Sequence, residues 1–536
     1  MMSKKTFLKG AAILGVAGLL TQVLGAIFRI PLANIIGDDG MGYYQTVYPI
    51  YVFLLVFSTN GAPAAISKMT SERLALGHAR DAHRVFRLSF LVMSLFGLLG
   101  AAIFFFGAES IVALMDAHEK SYYAMIAIAP ALLLIPIMSV YRGYFQGMQE
   151  MGPTALSQLT EQTVRVACGL ALAFAFLAWG IEYAAAGATL GTSIGPIAGI
   201  LLLIFIYARR KEKIRSAFET PDPAREKEKA SHILKTLAII AVPITIGVSI
   251  TPIMNLADVM LVMRKLRASG FSEDLANALY GQLTGMAGPI INIPMALALS
   301  MALSMVPAVA AAKSAGDLAH LSANIKLGLR TAVIIGVPCC FGLAVLAEPI
   351  MRLLYPLQVD SAVNAAGCLA ILSAGIIFLC VAQTMAGVLQ GLGKLSVAVV
   401  SLGAGFLVKC VATWYLTGLP GFNIEGAAIG SVLGFATIAL ISFGAVRRAT
   451  KISFDFSLSV FKPLVAGLVM AVLVFASYQV LLLVGSGRLA TVLAIAFGAA
   501  VYGVTLIKIK AITADEIALL PKGAKLSALL KKLRIL

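Results

Sequence analysis

The sequence has little charge and few of the side chains that usually build catalytic or metal sites. Charged residues make up 12% of its 536 residues and hydrophobic residues 60%, against roughly 25% and 45–50% in globular proteins. So little charge argues against a string of soluble domains. Apolar runs of about 20 residues recur along the chain, which is typical of transmembrane helices. The sequence therefore predicts an all-α polytopic membrane protein.

Cysteine and histidine are also scarce, with six and five residues. The cysteines all fall in apolar segments without a C-x-x-C pair, which favours inert thiols over disulfides or metal ligands. The histidines lie in predicted loops, so metal and acid–base chemistry is not expected inside the membrane. No metal site is predicted.

Motifs for catalysis or cofactor binding are missing as well. Gly391-Leu392-Gly393-Lys394 lacks the first glycine and the Ser/Thr of a phosphate-binding loop. No nucleophile has a base beside it, and no outer loop carries a cluster of acids suited to metal-dependent glycosyl transfer. We expect no catalytic residues, no enzyme activity and no cofactor. Sodium, protons and the membrane potential stay open as driving forces.

Fourteen spans are predicted, and they divide the chain into five parts. Spans one to six form an N-lobe (1–208) and spans seven to twelve a C-lobe (236–448), joined by a hydrophilic linker (209–235). Because six is even, the lobes are expected to be parallel and related by a pseudo-twofold axis along the membrane normal. Spans thirteen and fourteen (449–510) are additional. The tail (511–536) reads as a basic amphipathic helix, either on anionic inner-leaflet lipids or packed on the loops.

Basic residues set the orientation. With the N-terminus inside, 33 of the 42 Lys and Arg residues fall in inner loops and tails, 6 in outer loops and 3 within spans. This positive-inside pattern predicts that both termini are cytoplasmic. It also explains the net charge of +17 better than nucleic-acid binding does.

Part of the sequence occurs as an internal repeat. Arg142-Gly143-Tyr144-Phe145-Gln146-Gly147 returns 244 residues later as Ala386-Gly387-Val388-Leu389-Gln390-Gly391, and at the same offset Arg165 matches Lys409. Glycines recur every fourth residue in spans six and twelve, a spacing that predicts close helix packing. A repeat of this size indicates two similar halves.

Three cations lie within apolar spans: Arg29, Arg165 and Lys409. Each costs roughly 2.5–3.5 kcal/mol at mid-bilayer on insertion scales, so each is a functional candidate. Local explanations exist, namely pairing of Arg29 with Asp38 or Asp39, a Glu161–Arg165 helix pair, and snorkelling of Lys409. Alternatively, all three line a cavity and bind a phosphate-like anion. The matched placement of Arg165 and Lys409 favours the cavity.

Other polar residues within spans are secondary candidates. Gln146 and Gln390 either line the cavity or bond between helices, and Glu161 is a possible cavity-lining residue. Asp258, with Asn255 one turn before it, is a candidate for binding a coupling cation or proton. Capping the end of its span or pairing with Arg264 is the favoured explanation of Asp258.

Several motifs together resemble a known family. They are Gln22-Val23-Leu24-Gly25-Ala26-Ile27-Phe28-Arg29, Asn60-Gly61-Ala62-Pro63 and the repeated Gly-x-x-Gln-Gly. The chain looks like the polysaccharide-transport branch of the MOP flippase superfamily, of the SpoVB/YtgP type, which is related to the MurJ lipid II flippases. The likeness extends over nearly the whole chain. It departs from MurJ in having no charged residue between Asp39 and Lys68.

The resemblance implies alternating-access flipping of an undecaprenyl-pyrophosphate-linked glycan, lipid II or a related lipid-linked oligosaccharide, across the bacterial cytoplasmic membrane. Arg29 matches the first-helix arginine of a cationic cavity in such flippases. Some relatives have a sodium site in span eleven, where this chain has Lys409 and no acid. The glycan and the coupling ion therefore stay open. One alternative is a cation-coupled multidrug exporter of the same superfamily, and another is a membrane glycan polymerase.

Overall fold

The computed structural model describes residues 4–210, 228–419 and 421–511. About 90% of it is helical, and the described ranges contain no strand. The predicted all-α membrane fold is thereby confirmed. Most of the predicted linker (209–235) and nearly all of the predicted tail (511–536) lie outside the described residues.

Eighteen α-helices, α1 to α18, follow one another in the described residues. In chain order they are Lys4–Val56, Ala62–Ala75, Ala79–Phe106, Ala108–Leu114, Ser121–Gly147, Met151–Phe176, Ile181–Arg209, Ala230–Ala268, Glu273–Tyr280, Gly288–Ser314, Leu318–Val345, Ala347–Leu354, Val359–Ala374, Ile376–Gly391, Leu395–Leu416, Asn423–Thr450, Lys462–Val484 and Gly487–Lys508. Short π-helical segments, Phe57–Gly61, Gly281–Ala287 and Ser457–Phe461, adjoin α2, α10 and α17.

Helix α1 is a hairpin of two helical segments. Gly37 has φ 68° and ψ −171°, a backbone region that is essentially restricted to glycine. In a straight helix Arg29 and Tyr48 would lie about 28 Å apart, at about 1.5 Å per residue. The Arg29 Cζ instead lies 5.7 Å from the centre of the Tyr48 ring. The chain therefore reverses near Gly37, and the two segments run side by side.

The hairpin bears on the number of membrane crossings. By length and composition, the described residues contain 12 helices able to cross a membrane, or up to 13 if the bent pair Val359–Ala374 and Ile376–Gly391 is one span. That count treats Ile13–Ala75 as one span of 63 residues, which is about 95 Å of helix, about three times the thickness of the hydrocarbon core. Fourteen crossings stay a prediction, which the hairpin favours.

The chain divides into two compact units, Met1–Gly285 and Met286–Leu536. Helices α8 and α9 thus belong to the first unit, although the sequence places the seventh span in the C-lobe. The predicted lobes 1–208 and 236–448 stay a prediction.

The glycines of α7 serve helix packing, as their spacing predicts. A Cβ at Gly191 would lie 2.5 Å from the Gly169 Cα, and one at Gly195 would lie 2.7 Å from the Glu161 carbonyl oxygen. No side chain larger than hydrogen fits at these distances, so α6 and α7 are in backbone contact. The contact fixes the face of α6 that carries Glu161 and Arg165.

The turn of the hairpin is held against α9 and the following π-helical segment. Gln282 Nε2 donates to Asp38 Oδ2 at 2.8 Å, and Asn277 Nδ2 donates to the Asp39 carbonyl oxygen, also at 2.8 Å. These bonds lie within the first unit. The Asp38 carboxylate is thus engaged by an amide, and Arg29 forms no ion pair with either aspartate in the described residues.

Candidate functional site

Three tyrosines line one face of the second segment of α1. Tyr44, Tyr48 and Tyr51 follow i, i+4, i+7 spacing, which brings side chains onto the same side of a helix. Tyr44 and Tyr48 stack with ring centres 5.8 Å apart and an interplanar angle of 17°, and Tyr51 lies 5.8 Å from Tyr48. Because Tyr44 and Tyr51 are buried, the position of the Tyr48 ring is fixed from both sides.

Two of the predicted cations meet on the Tyr48 ring. The Arg29 Cζ lies 5.7 Å and the Arg165 Cζ 5.4 Å from its centre. The negative face of an aromatic ring attracts cations at this range. Arg165 Nη2 also donates to the Tyr44 hydroxyl at 3.3 Å. The structure therefore brings Arg29 and Arg165 together, as the sequence predicts, through an aromatic contact that the sequence analysis missed.

Glu161 is engaged elsewhere. Arg142 Nη2 donates to Glu161 Oε2 at 2.8 Å, and Arg142 Nε donates to Ser157 Oγ at 2.9 Å. The side chains of this ion pair are 14% and 19% exposed. The alternative in which Glu161 pairs with Arg165 along α6 is therefore wrong, because Arg142 from α5 takes the carboxylate.

The outcome is a pair of guanidinium groups without carboxylate partners. Arg29 and Arg165 form no ion pair in the described residues, and the buried Arg165 Nε has no hydrogen-bond acceptor there. Aromatic contacts position a guanidinium group without neutralising it. Such a pair is suited to an anion with several oxygen acceptors.

Lys409 lies in the second unit, on α15, in a setting similar to that of Arg165. A Cβ at Gly195 would lie 2.9 Å from the Arg165 Cβ, and a Cβ at Gly434 would lie 3.1 Å from the Lys409 Cβ. In both repeats the Cβ atom of the basic residue thus lies close to a glycine of the following long helix. The duplicated sequence is matched by duplicated helix packing. The inclusion of Lys409 in the site stays a prediction.

The remaining candidates differ in burial. Gln146 is half-buried, Gln390 exposed, Asp258 half-buried and Asn255 exposed. Arg264 Nε donates to Asp116 Oδ2 at 2.9 Å, and pairing of Arg264 with Asp258 stays a prediction. Binding of a coupling ion by Asp258 and Asn255 stays a prediction.

Acids from separate predicted outer loops meet in one cavity of the first unit. A cavity of about 700 Å³ in the first unit gathers carboxylates from three predicted outer loops, and its lining includes Glu109, Asp116, Glu119, Glu182 and Glu273. The sequence conceals this cluster because its members are far apart along the chain. In the described part of the chain, however, no group of three or more His, Cys, Asp or Glu side chains is placed so that it could hold a metal ion. The cavity has the wrong charge for a phosphate, which leaves the arginine pair as the candidate anion site.

Sequence reasoning missed Tyr44, Tyr48 and Arg142. The i, i+4, i+7 tyrosines were a detectable signal, since aromatic residues at that spacing share a helix face. Arg142 was counted as a loop cation. Its pairing with Glu161, which lies 19 residues further along the chain, depends on how α5 and α6 pack.

Comparisons with known proteins point to one family. Residues 7–313 match the family model described as polysaccharide biosynthesis protein, and residues 243–415 match the MatE model. The chain is 28% identical to stage V sporulation protein B of Bacillus subtilis (strain 168), with 97% of this chain and 98% of that protein covered. It is 26% identical to the lipid II flippase MurJ of the same organism, with 83% of each covered.

Solved structures share the fold. A lipid II flippase MurJ in an inward closed conformation has a TM-score of 0.67 at 16% identity, covering 92% of this chain and 98% of that one. An inward-facing multidrug resistance transporter of the MATE family also has a TM-score of 0.67, at 13% identity and with 80% and 94% covered. At this identity the likeness concerns the fold alone and does not distinguish a lipid-linked substrate from a drug.

Proposed function

The chain belongs to the polysaccharide biosynthesis protein family, and from this premise we propose that it flips an undecaprenyl-pyrophosphate-linked glycan, lipid II or a related lipid-linked oligosaccharide, by alternating access. As a MOP-family flippase it is not an enzyme. The observation that carries the proposal is the contact of Arg29 and Arg165 with one Tyr48 ring, without a carboxylate partner in the described residues.

The physical argument concerns the pyrophosphate of the carrier. Moving it across the bilayer means taking its charges away from bulk water, which is costly unless fixed positive groups replace the lost hydration. Guanidinium groups suit this role because they stay protonated and bond phosphate oxygens in bidentate fashion. The two arginines are held in place before the substrate arrives, which lowers the entropic cost of binding.

The membrane orientation belongs to the same proposal. The excess of Lys and Arg in predicted inner loops, 33 against 6, supports a protein with both termini in the cytoplasm of a bacterium. The Asp38–Gln282 contact then lies on the outer side. Protons, sodium and the membrane potential all stay candidates for the driving force.

A cation-coupled multidrug exporter is the second candidate, favoured by the MatE match to residues 243–415. Such an exporter would need acidic groups facing a cationic drug. At Tyr48 the two groups in contact with the ring are instead basic, and the nearby acid Glu161 is engaged by Arg142. The sign of the charge at this site is the reason for preferring the lipid-linked anion. A glycan polymerase is disfavoured, because the similar proteins and structures are flippases and transporters.

Complementation tests the proposal. In a strain depleted of its lipid II flippase, we expect the wild-type chain to restore growth and Arg29→Ala, Arg165→Ala and Lys409→Ala to fail at equal membrane abundance. Lys68→Ala is the matched control, because Lys68 is more than half exposed and paired with Glu72 at 3.7 Å. Full activity of all three variants would remove the site. Failure of the wild type would contradict lipid II as the glycan, and flipping assays with other carrier-linked glycans would then apply.

A further inference from the structure

The end of α16 carries a basic cavity that plays no part in the proposed transport site. It has a volume of about 570 Å³, lies within the second unit, and is lined by Gly444, Arg447, Arg448, Lys451, Ile452 and Ser453. Three of its six lining residues are cations and none is acidic. On the proposed orientation, this end of α16 lies at the cytoplasmic surface of the membrane.

Among the described residues, the three cations have no partner of opposite charge. Arg447, Arg448 and Lys451 are all exposed, and none forms an ion pair or a side-chain hydrogen bond within the described part of the chain. A helix C-terminus attracts nearby cations, which explains one or two basic residues there. It does not explain a cavity lined by three cations within the five consecutive positions 447–451, where the like charges repel one another.

The first half of the repeat ends differently. Arg209 and Arg210 end α7, where Arg210 forms an ion pair with Glu150 and Arg209 lies 4.4 Å from the centre of the Phe205 ring. At the repeat offset of 244, the position of Glu150 is taken by Lys394. The position of the acid that neutralises the basic end of α7 is thus occupied by a lysine in the second half. The positive charge of the cavity at the end of α16 is therefore available to an external anion.

An aromatic surface adjoins the basic cavity. Phe443, one turn before Arg447, contacts Phe454 and Phe456 with ring centres 4.9 Å and 5.8 Å away. Phe456 is half exposed. Phe443 and Phe454 are half-buried, so Phe456 is the exposed ring, and an exposed aromatic ring beside cations at the end of a membrane span is suited to the boundary between head groups and acyl chains.

We propose that this cavity binds the head group of an anionic diacyl phospholipid, with its acyl chains lying along the adjoining phenylalanine surface. Basic pockets at the cytoplasmic side of membrane helices recognise phosphate-bearing head groups by this chemistry. A free phosphate has the same charge but no acyl chains to contact the phenylalanine surface, which is why the lipid is favoured. The site is separate from the arginine pair, and its test does not require transport.

Native mass spectrometry of the purified full chain tests the site. We expect phosphatidylglycerol to bind more tightly than phosphatidylethanolamine with the same acyl chains. In Arg447→Gln/Arg448→Gln, affinity for phosphatidylglycerol is expected to fall about 30-fold, from the contribution of two basic residues near a membrane surface. Arg447→Lys/Arg448→Lys, which keeps the charge, is expected to bind nearly as well as the wild type.

The matched control is Arg209→Gln/Arg210→Gln, which removes the same charge from the corresponding end of α7. It is expected to change lipid binding little, because Arg210 is already neutralised by Glu150. Equal losses in both glutamine variants, or no preference between the two lipids, would overturn the proposal. Displacement of the lipid by excess inorganic phosphate would overturn it in favour of a free-anion site. Monodisperse elution of each variant establishes that it is folded.

Discussion

Arg142 donates from α5 to Glu161 on α6 at 2.8 Å, and among the described residues that carboxylate forms no ion pair with Arg165, one turn further along α6. Glu followed by a cation at i+4 is the favoured order for a helix ion pair, so Glu161 would otherwise be available to neutralise Arg165. The ion pair between α5 and α6 therefore maintains the positive charge of the site. At the offset of 244 the second half has Ala386 and Gly405 instead.

This relationship predicts an unusual pattern of rescue. Arg142→Gln is expected to reduce transport severely, because the freed Glu161 pairs with Arg165. Arg142→Gln combined with Glu161→Gln is expected to recover much of the activity, since the competing carboxylate is gone. The coupling between the two changes is expected to be about 1–3 kcal/mol. It can be measured as substrate affinity in a double-mutant cycle.

The control for this cycle is Glu161→Gln alone, which is expected to leave Arg165 positive and transport largely intact. If the double variant is no better than Arg142→Gln, then Arg142 acts directly or supports the helix contact, and its proposed role in sparing Arg165 is incorrect.

Tyr48 is predicted to position both arginines. Tyr48→Leu removes the ring that contacts Arg29 and Arg165, and a partly desolvated cation–π contact contributes about 0.5–2 kcal/mol. Because the ring makes two such contacts, affinity for a pyrophosphate-linked lipid is expected to fall between about 5-fold and about 1,000-fold. Tyr48→Phe keeps the ring and is expected to bind nearly as well as the wild type. Equal defects in Leu and Phe variants would show that the hydroxyl, rather than the ring face, is needed.

Arg165 itself is predicted to contribute to binding through hydrogen bonds to the anion. Such bonds to charged groups contribute about 1.5–3 kcal/mol each, so Arg165→Ala is expected to weaken substrate binding by about 10- to 150-fold. Arg165→Lys is expected to recover only part, because an ammonium group lacks the bidentate geometry. Direct titration of the purified protein with lipid-linked substrate measures both variants, and full recovery by lysine would contradict bidentate recognition.

Gly37 is predicted to be needed for the hairpin of α1. Its φ of 68° and ψ of −171° are strained for any residue with a Cβ, at about 1–3 kcal/mol. Gly37→Ala should therefore lower the thermal unfolding temperature. Gly18→Ala, in the same helix with no atom within 4 Å of the added Cβ, is expected to be neutral or slightly stabilising. Equal stability of the two variants would mean that the chain does not turn at Gly37.

A pH prediction concerns Glu228, which precedes α8. Burial raises the pKa of its carboxyl, but hydrogen bonds from His232 and Arg73 outweigh burial and hold the pKa below its ordinary value of 4.5. Because the folded pKa is depressed, the stabilisation is complete above about pH 4.5 and is lost as the pH falls through the folded value.

Thermal unfolding across this acid range checks the effect. The unfolding temperature of the wild type is expected to exceed that of Glu228→Gln near neutral pH, and the two temperatures are expected to become equal in acid. Arg73→Gln removes the guanidinium group that bonds to Glu228 at 2.8 Å. In a protein that carries Arg73→Gln, the effect of Glu228→Gln on the unfolding temperature is therefore expected to depend less on pH. Parallel pH profiles for wild type and Glu228→Gln would contradict a role of this carboxylate in acid stability.

The sequence alone determined the class of the protein, because insertion into a bilayer depends on properties that are local to the chain. Long apolar runs, basic loops and glycines at every fourth residue can each be read without knowing which helices touch. The duplicated position of Arg165 and Lys409 was visible for the same reason.

Tertiary structure decided which charges remain unpaired, because an ion pair depends on distances between helices that the sequence does not contain. Glu161 has Arg165 as its nearest cation along α6 but Arg142 as its partner in space. Arg29 has Asp38 nearby in the chain, yet the turn at Gly37 brings it to Tyr48. Electrostatic energies fall with distance through space and not along the chain, so the candidate site appears only once the helices have packed.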